Sequence, residues 1–335
     1  MRRSRIAVVV ALTSGGALAL GGCAVTPSTP SEFSLVQYPA AGFAGLYAQT
    51  AAARKSIDME MYELEDPLEI VALVAARHRG VVVRVLLDSA FEVRTANEPA
   101  YAELTAGGAE VRFATSSTIF HIKTTTFDGT TSDISTANLT PRYYSTTRDA
   151  AIIDTYPVQV AAIEKTFDND WNGGDPETDE VNAPGLLWSP NAESAMVNQI
   201  NSASSSIDFT SEELADPYIY RALAADAQRG VRCRIVMMDD PHWAKAFGQV
   251  TAAGCVVHAL PETDSGLYIH EKLVLVDAGA ANASAMVGSQ NASYSSLAFN
   301  RELSIVLTGA QAPGVIAEIT RTFESDFAAA KLWPR

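Results

Sequence analysis

Two short stretches of this 335-residue chain carry the same arrangement of reactive side chains. His121-Ile122-Lys123 running to Asp128, and His270-Glu271-Lys272 running to Asp277, both read H-x-K-x-x-x-x-D, 149 residues apart. In a chain with five His, six Lys and nineteen Asp, this pattern arises by chance about 0.005 times, so two copies are not accidental. An imidazole can attack phosphorus or move a proton, and a nearby ammonium can hold an oxyanion. Two such pairs, brought together, suit cleavage of a phosphate ester with no metal. Residues two apart on a strand share a face, whereas residues seven apart do not. The spacing therefore predicts that His121, Lys123, His270 and Lys272 touch the substrate, with Asp128 and Asp277 completing the catalytic motif as support. A second echo follows: Asn138 and Asp149 lie 11 residues apart, as do Asn291 and Glu302, with Arg148 and Arg301 just before each acid.

The elements that must position these residues are themselves duplicated. SIDMEMYELEDPLEIVALVAARHRGVVVRVLLD at 56–88 aligns without a gap to SIDFTSEELADPYIYRALAADAQRGVRCRIVMMD at 206–239, with one residue of slack at the end. Each copy reads as a strand, a loop closed by Asp-Pro, an Ala/Leu-rich amphipathic helix ending at Arg-Gly, and a Val/Ile-rich strand. That is a βαβ unit, hence an α/β lobe with a largely parallel or mixed sheet. Residues 172–185 are rich in Gly, Pro and acids and mark the junction. The expected fold is two homologous α-β-α sandwich lobes, 33–178 and 179–335, related by a pseudo-twofold axis, with the active site at their interface. Asp66-Pro67 and Asp216-Pro217 read most simply as helix starts.

Composition narrows the class. With 47% hydrophobic and 19% charged residues, the chain can bury a large core, which excludes disorder, collagen and a polytopic membrane protein. Its net charge of −15 argues against a non-specific nucleic-acid binder. The first residues, MRRSRIAVVVALTSGGALALGGC, form a basic, then apolar, then small-residue leader, too short and too rich in Gly, Ser and Thr to span a membrane. Leu20-Gly21-Gly22-Cys23 matches a bacterial lipobox, making Cys23 the expected lipidation site, the alternative being an ordinary signal peptide cut nearby. Residues 1–22 are then the signal peptide and 23–32 a flexible tether. Cys233 and Cys255 sit in short β-like runs, as one disulfide or two buried thiols, and their spacing does not suggest a zinc site.

The two motifs, followed in the second copy by Gly288-Ser289-Gln290-Asn291, resemble the phospholipase D superfamily. The first copy keeps Asn138 but has Ser135-Thr136-Ala137 in place of the glycine-led turn. The resemblance extends to the lobe endings Thr166-Phe167-Asp168-Asn169-Asp170-Trp171 and Thr322-Phe323-Glu324-Ser325-Asp326-Phe327. It implies a phosphodiesterase that hydrolyses or transfers phospholipid headgroups through a covalent phosphohistidine. His121 is then the nucleophile, His270 the acid, Asn138 and Asn291 phosphate ligands, and Asp149 and Glu302 the carboxylates that orient the imidazoles. No cofactor or metal is expected. The expected partners are a phospholipid or other phosphodiester and a membrane reached through a lipid anchor, for a monomer exported to the cell envelope. The alternatives are a nuclease of the same superfamily and an inactive binding lipoprotein. His78, His242 and His258 are read as structural. Tyr143, Tyr144, Tyr294 and Phe299 are read equally as packing residues and as contacts for an acyl chain or headgroup.

Overall fold

A computed structural model describes residues 31–90, 93–114, 118–263 and 266–334. The expected signal peptide, Cys23 and most of the expected tether fall outside the described residues. The first duplicated unit builds a seven-stranded sheet, in spatial order Phe33–Gln37, Ala150–Asp154, Thr131–Ser135, Lys123–Phe127, Ser56–Met61, Val82–Leu87 and Glu110–Phe113. The second builds an eight-stranded sheet from Lys331–Leu332, Val256–Leu260, Arg232–Met238, Ser206–Thr210, Leu273–Val276, Ser284–Gly288, Glu302–Thr308 and Leu186–Ser189. The βαβ crossovers give the parallel pairs in each; the remaining pairs are antiparallel, some between successive strands, as Lys123–Phe127 with Thr131–Ser135, and others between strands distant in sequence, as Ser56–Met61 with Lys123–Phe127. Residues 172–185 run between the helix Pro157–Trp171 and the strand Leu186–Ser189.

Three cores hold these layers. One lies between the first sheet and the helices Ala44–Ala52, Pro67–His78 and Val93–Ala106, and a second covers the other sheet with Glu193–Asn201, Pro217–Gln228 and Ala244–Ala253. The central core draws Ile134 and Ile152 from the first sheet, Leu275, Val287 and Ile305 from the second, and Phe167 and Phe323 from the helices Pro157–Trp171 and Pro313–Ala329. Burying this much apolar surface between the sheets fixes the halves as one body. Asp66 and Asp216 cap their helices, each accepting two backbone N–H groups. Of the two readings of Cys233 and Cys255, the disulfide is the one present.

Two ion pairs, one fully buried and one partly buried, lock the halves reciprocally. Arg301, fully buried, forks onto Asp170 at 2.7 and 2.8 Å. Arg148 makes the same fork onto Asp326, at 2.7 and 2.9 Å. Each arginine stands one residue before a candidate orienting acid and reaches the last long helix of the opposite half. Bidentate geometry fixes both distance and angle across the interface.

Candidate active site

The site is built by two short backbone bridges between the halves. Phe120 pairs with Arg301 as a parallel bridge, and the strand Tyr268–Ile269 pairs in parallel with Thr147–Arg148. The next residue on each segment then falls side by side with its partner, His121 beside Glu302 and His270 beside Asp149. His121 Nδ1 lies 2.9 Å from a Glu302 oxygen, and His270 Nδ1 lies 2.7 Å from an Asp149 oxygen. The pairing is crossed, each histidine being held by the acid of the other half.

To make these bridges the chain must leave the main sheet, and this corrects the expectation that the His and Lys of each motif share one face of a single strand. The strands begin only at Lys123 and Leu273. Each lysine instead folds back so that its ammonium donates to the carbonyl of its own motif histidine. Both lysines are buried, and both amines face the site.

Both acids sit in cages of donors. Asp149 accepts from the Thr136 and Thr147 hydroxyls as well as from His270. Glu302 accepts from the Ser296 hydroxyl and the Asn300 amide as well as from His121. Burial alone would raise the Asp149 carboxyl, but the His270 ring and the Lys272 charge outweigh it and hold the group below its ordinary value. Burial and the Lys123 ammonium push His121 down to about 4, against the opposing pull of Glu302. His121 is therefore neutral at pH 7, and with Nδ1–H given to Glu302 its Nε2 carries a free electron pair. Burial likewise pushes Lys123 down to about 7.

The second half of the site contains a carboxylate that sequence reasoning missed. Glu212 lies 3.3 Å from His270 Nε2, 3.2 Å from Lys272 Nζ and 3.3 Å from Asn291 Nδ2. Burial would raise its carboxyl, but the neighbouring His270 and Lys272 outweigh it and hold the group well below the usual range. The one sequence signal was a mismatch inside the repeat, because the aligned residue is Tyr62. A cavity of about 450 Å³ opens beside His270, with Asn138, Tyr143, Tyr144, Glu212, Glu262 and Tyr268 in its wall. Its one arginine, Arg142, is already paired with Glu63 and Glu65. Asn138 and Asn291 each bury a side-chain oxygen that accepts no hydrogen bond, as an acceptor awaiting a water or a ligand hydroxyl would.

Asp128 and Asp277 do not reach this site, which corrects their inclusion in the catalytic set. They sit past the far ends of their strands, at φ 55° and 51°. Asp128 accepts the backbone N–H groups of Arg54, Lys55 and Ser56, and Asp277 those of Ser204, Ser205 and Ser206. Each therefore pins the turn that starts the first strand of its repeat. Gly288 is required where it stands, since a Cβ there would come within 2.3 Å of the Leu303 oxygen and the Ser304 Cα. In the first half Ser135 faces Ala151 instead, and its hydroxyl accepts the Ala137 N–H at 3.0 Å. His78 ends a helix at the surface, His242 is exposed, and His258 stacks on Phe327. Tyr143 and Tyr144 line the cavity, whereas Tyr294 and Phe299 are exposed and meet edge to face.

Comparison with known proteins agrees with this architecture. The family described as "Cardiolipin synthase, PLD-like domain" matches residues 46–171 and 196–328, so the chain belongs to this phospholipase D-like family. A curated relative, the mitochondrial cardiolipin hydrolase of Xenopus laevis, is 27% identical over 136 residues, covering 41% of this chain and 64% of that protein. Among solved structures, phosphatidylserine synthase of Haemophilus influenzae superposes with a TM-score of 0.70 at 12% identity, covering 90% of this chain and 87% of the other. The polyphosphate kinase of Porphyromonas gingivalis superposes with a TM-score of 0.67 at 15% identity, over 87% of this chain but 46% of its own. At these identities the two structures establish a shared fold.

Proposed function

We propose that the chain is an exported phospholipase D-type phosphodiesterase that removes or exchanges phospholipid headgroups through a covalent phosphohistidine. The observation that carries this reading is the crossed pair of His–carboxylate contacts, which fixes Nδ1 of both rings and turns Nε2 of both toward the cleft, where Glu212 meets that of His270. The two rings are not equivalent. His121, neutral and beside Lys123, is suited to attack phosphorus; His270, flanked by Asp149 and Glu212, is suited to carry a proton.

In this mechanism the Nε2 lone pair of His121 forms the N–P bond while the bond from phosphorus to the headgroup oxygen breaks. The His270 proton passes to that oxygen. His270 then takes a proton from water, whose oxygen displaces His121 and yields the phosphomonoester. Another alcohol in place of water gives a transferred diester. Lys123, Lys272, Asn138 and Asn291 hold the non-bridging oxygens, whose charge grows in the transition state.

Lipid is favoured over nucleic acid by the net charge of −15 and by a cavity whose single arginine is already neutralised by two glutamates. The phospholipid-directed names of the Xenopus and Haemophilus proteins agree with that choice. Export is supported by the leader sequence and the Cys233–Cys255 bond, which belong to an oxidising compartment, and anchoring through Cys23 is part of the proposal. The test is incubation of the mature protein with phosphatidylcholine or phosphatidylglycerol vesicles plus ethanol and, separately, with single-stranded DNA. Phosphatidic acid together with phosphatidylethanol is expected. Cleavage of DNA with lipid untouched would transfer the assignment to a nuclease.

A further inference from the structure

The two halves of the site differ at the end of their first repeated strand. In the first half the Tyr62 ring meets His121 edge-on at 4.6 Å between centroids and lies 4.8 Å from Lys123 Nζ. In the second half Glu212 occupies the aligned position. One Glu212 oxygen rests on His270 Nε2, Lys272 Nζ and Asn291 Nδ2, and the other accepts the Tyr268 hydroxyl at 3.0 Å. These three nitrogens are donors that the proposed function gives to the substrate phosphate, so a carboxylate oxygen stands where a phosphate oxygen would. The side chain is 26% exposed and borders the cavity, so it has space to swing aside.

We propose that Glu212 is an internal anion that holds the phosphate position in the free protein and makes the site select singly charged phosphodiesters over doubly charged phosphomonoesters. The inference rests on reading His270, Lys272 and Asn291 as phosphate ligands. A ligand must take over these donors, and the displaced carboxylate moves only a side chain's length, remaining charged beside it. Lys272 and His270 are then engaged by the ligand, and the other groups in the wall do not cancel that charge. Glu262 and Asp149 are acids, Tyr268 is neutral, and Arg142 is committed to Glu63 and Glu65.

Repulsion from a fixed carboxylate scales with the charge on the ligand. A diester carries one negative charge. A monoester, with a second pKa of about 6, carries nearly two at pH 8. The penalty in free energy is thus about double for the monoester, and in affinity it is the square. The phosphomonoester left by hydrolysis belongs to the disfavoured class, and Glu212 assists its release.

The experiment uses the mature protein turning over bis(p-nitrophenyl) phosphate, with dimethyl phosphate and methyl phosphate as competitive inhibitors at pH 5 and pH 8. In the wild type, methyl phosphate should lose affinity relative to dimethyl phosphate as pH rises from 5 to 8, and more steeply than in Glu212→Gln, where only the part due to Lys123, which burial pushes down to about 7, remains. In Glu212→Gln, binding of dimethyl phosphate at pH 8 should tighten at least tenfold and binding of methyl phosphate by about the square of that factor. At pH 5 the two should gain alike. Glu212→Asp, charged but shorter, should keep the wild-type order of preference. An active wild type that favours methyl phosphate as pH rises overturns the inference without need of any variant, as does a folded Glu212→Gln that gains equally for both at pH 8. A folded wild type that neither cleaves the aryl diester nor binds either phosphate overturns the phosphodiesterase reading itself.

Discussion

Glutamine at position 302 keeps the volume of a fully buried side chain and removes its charge. Three donors converge on that carboxylate, from Ser296, Asn300 and His121. An amide has one accepting end. With two donors on the Ser296 side and one on the His121 side, its carbonyl is drawn to the former and its NH₂ turns toward His121 Nδ1. The ring must then accept at Nδ1 and carry its proton on Nε2, the atom required to attack. Since burial already holds His121 near 4, the loss is one of tautomer and not of charge state. Exchange of an orienting aspartate for asparagine costs a serine protease about 10⁴-fold through the same fault, so a fall in kcat of roughly 10³–10⁴ is expected for Glu302→Gln, with KM little changed. Because no leaving group removes the need for a nucleophile, the fall should be equal for choline and p-nitrophenol esters. Asp149→Asn, acting on His270, should slow the choline ester by about 10²–10³ and the p-nitrophenyl ester far less, since the latter departs without a proton. Steady-state rates of both variants on both substrates decide this. If Glu302→Gln spares the aryl ester and Asp149→Asn does not, the assignment of the two histidines is reversed; if neither variant loses activity, the crossed pairs have no catalytic role.

Lys123→Ala or Lys272→Ala should each lower kcat by about 10²–10³ without loss of fold, as removal of one preorganised donor does; full activity in both would remove the lysines from the mechanism. Arg301→Met leaves Asp170 and its buried neighbour Glu60 without a cation, so about 3–5 kcal/mol of stability should be lost. At roughly 2 °C per kcal/mol for a large domain, Tm should drop by about 6 °C or more and recover in part in Arg301→Met/Asp170→Leu; an unchanged Tm would refute the lock. Burial raises Glu69 to about 8 and Asp133, Asp154 and Glu271 to about 7. Carboxyls that hold a proton more tightly folded than unfolded contribute stability that is complete below about pH 4 and lost as pH rises through 7 and 8. Thermal unfolding should therefore occur at a higher temperature at pH 5.5 than at pH 8.5, and the opposite order would contradict the protonated state of these groups.

The candidate site residues are legible in the sequence because duplication wrote them twice. Repetition at fixed spacing singled out His121, Lys123, Asn138 and Asp149 with their counterparts, and the βαβ pattern predicted the sheets. The crossed pairing was not legible, since it depends on which half of the chain lies beside which, and spacing within one copy is silent on that. The same limit hid the roles of Arg148, Arg301, Asp170 and Asp326. All four recur in the repeat, but the forks that join them cross the interface. Alternation along a strand failed for His121 and Lys123 because the bridge at Phe120 draws the chain out of its sheet. Glu212 escaped for the opposite reason. A search for shared residues passes over the position where the copies differ, and Tyr62 opposite Glu212 is where the two halves of the site acquire different charges.

In the proposed mechanism one histidine of the pair becomes covalently attached to phosphorus, and that histidine is His121. Rapid quenching of the His270→Ala variant with an aryl phosphodiester, followed by tryptic digestion under alkaline conditions and mass spectrometry, tests it directly. This variant should form the adduct, because the aryl group needs no proton to leave, and should retain it, because the base that activates water is missing. The phosphoryl group is predicted on the peptide from Phe113 to Lys123, with at most one adduct per chain and none in His121→Ala. An adduct on the peptide that contains position 270 in the wild type, or turnover with no adduct on any histidine, would contradict the account.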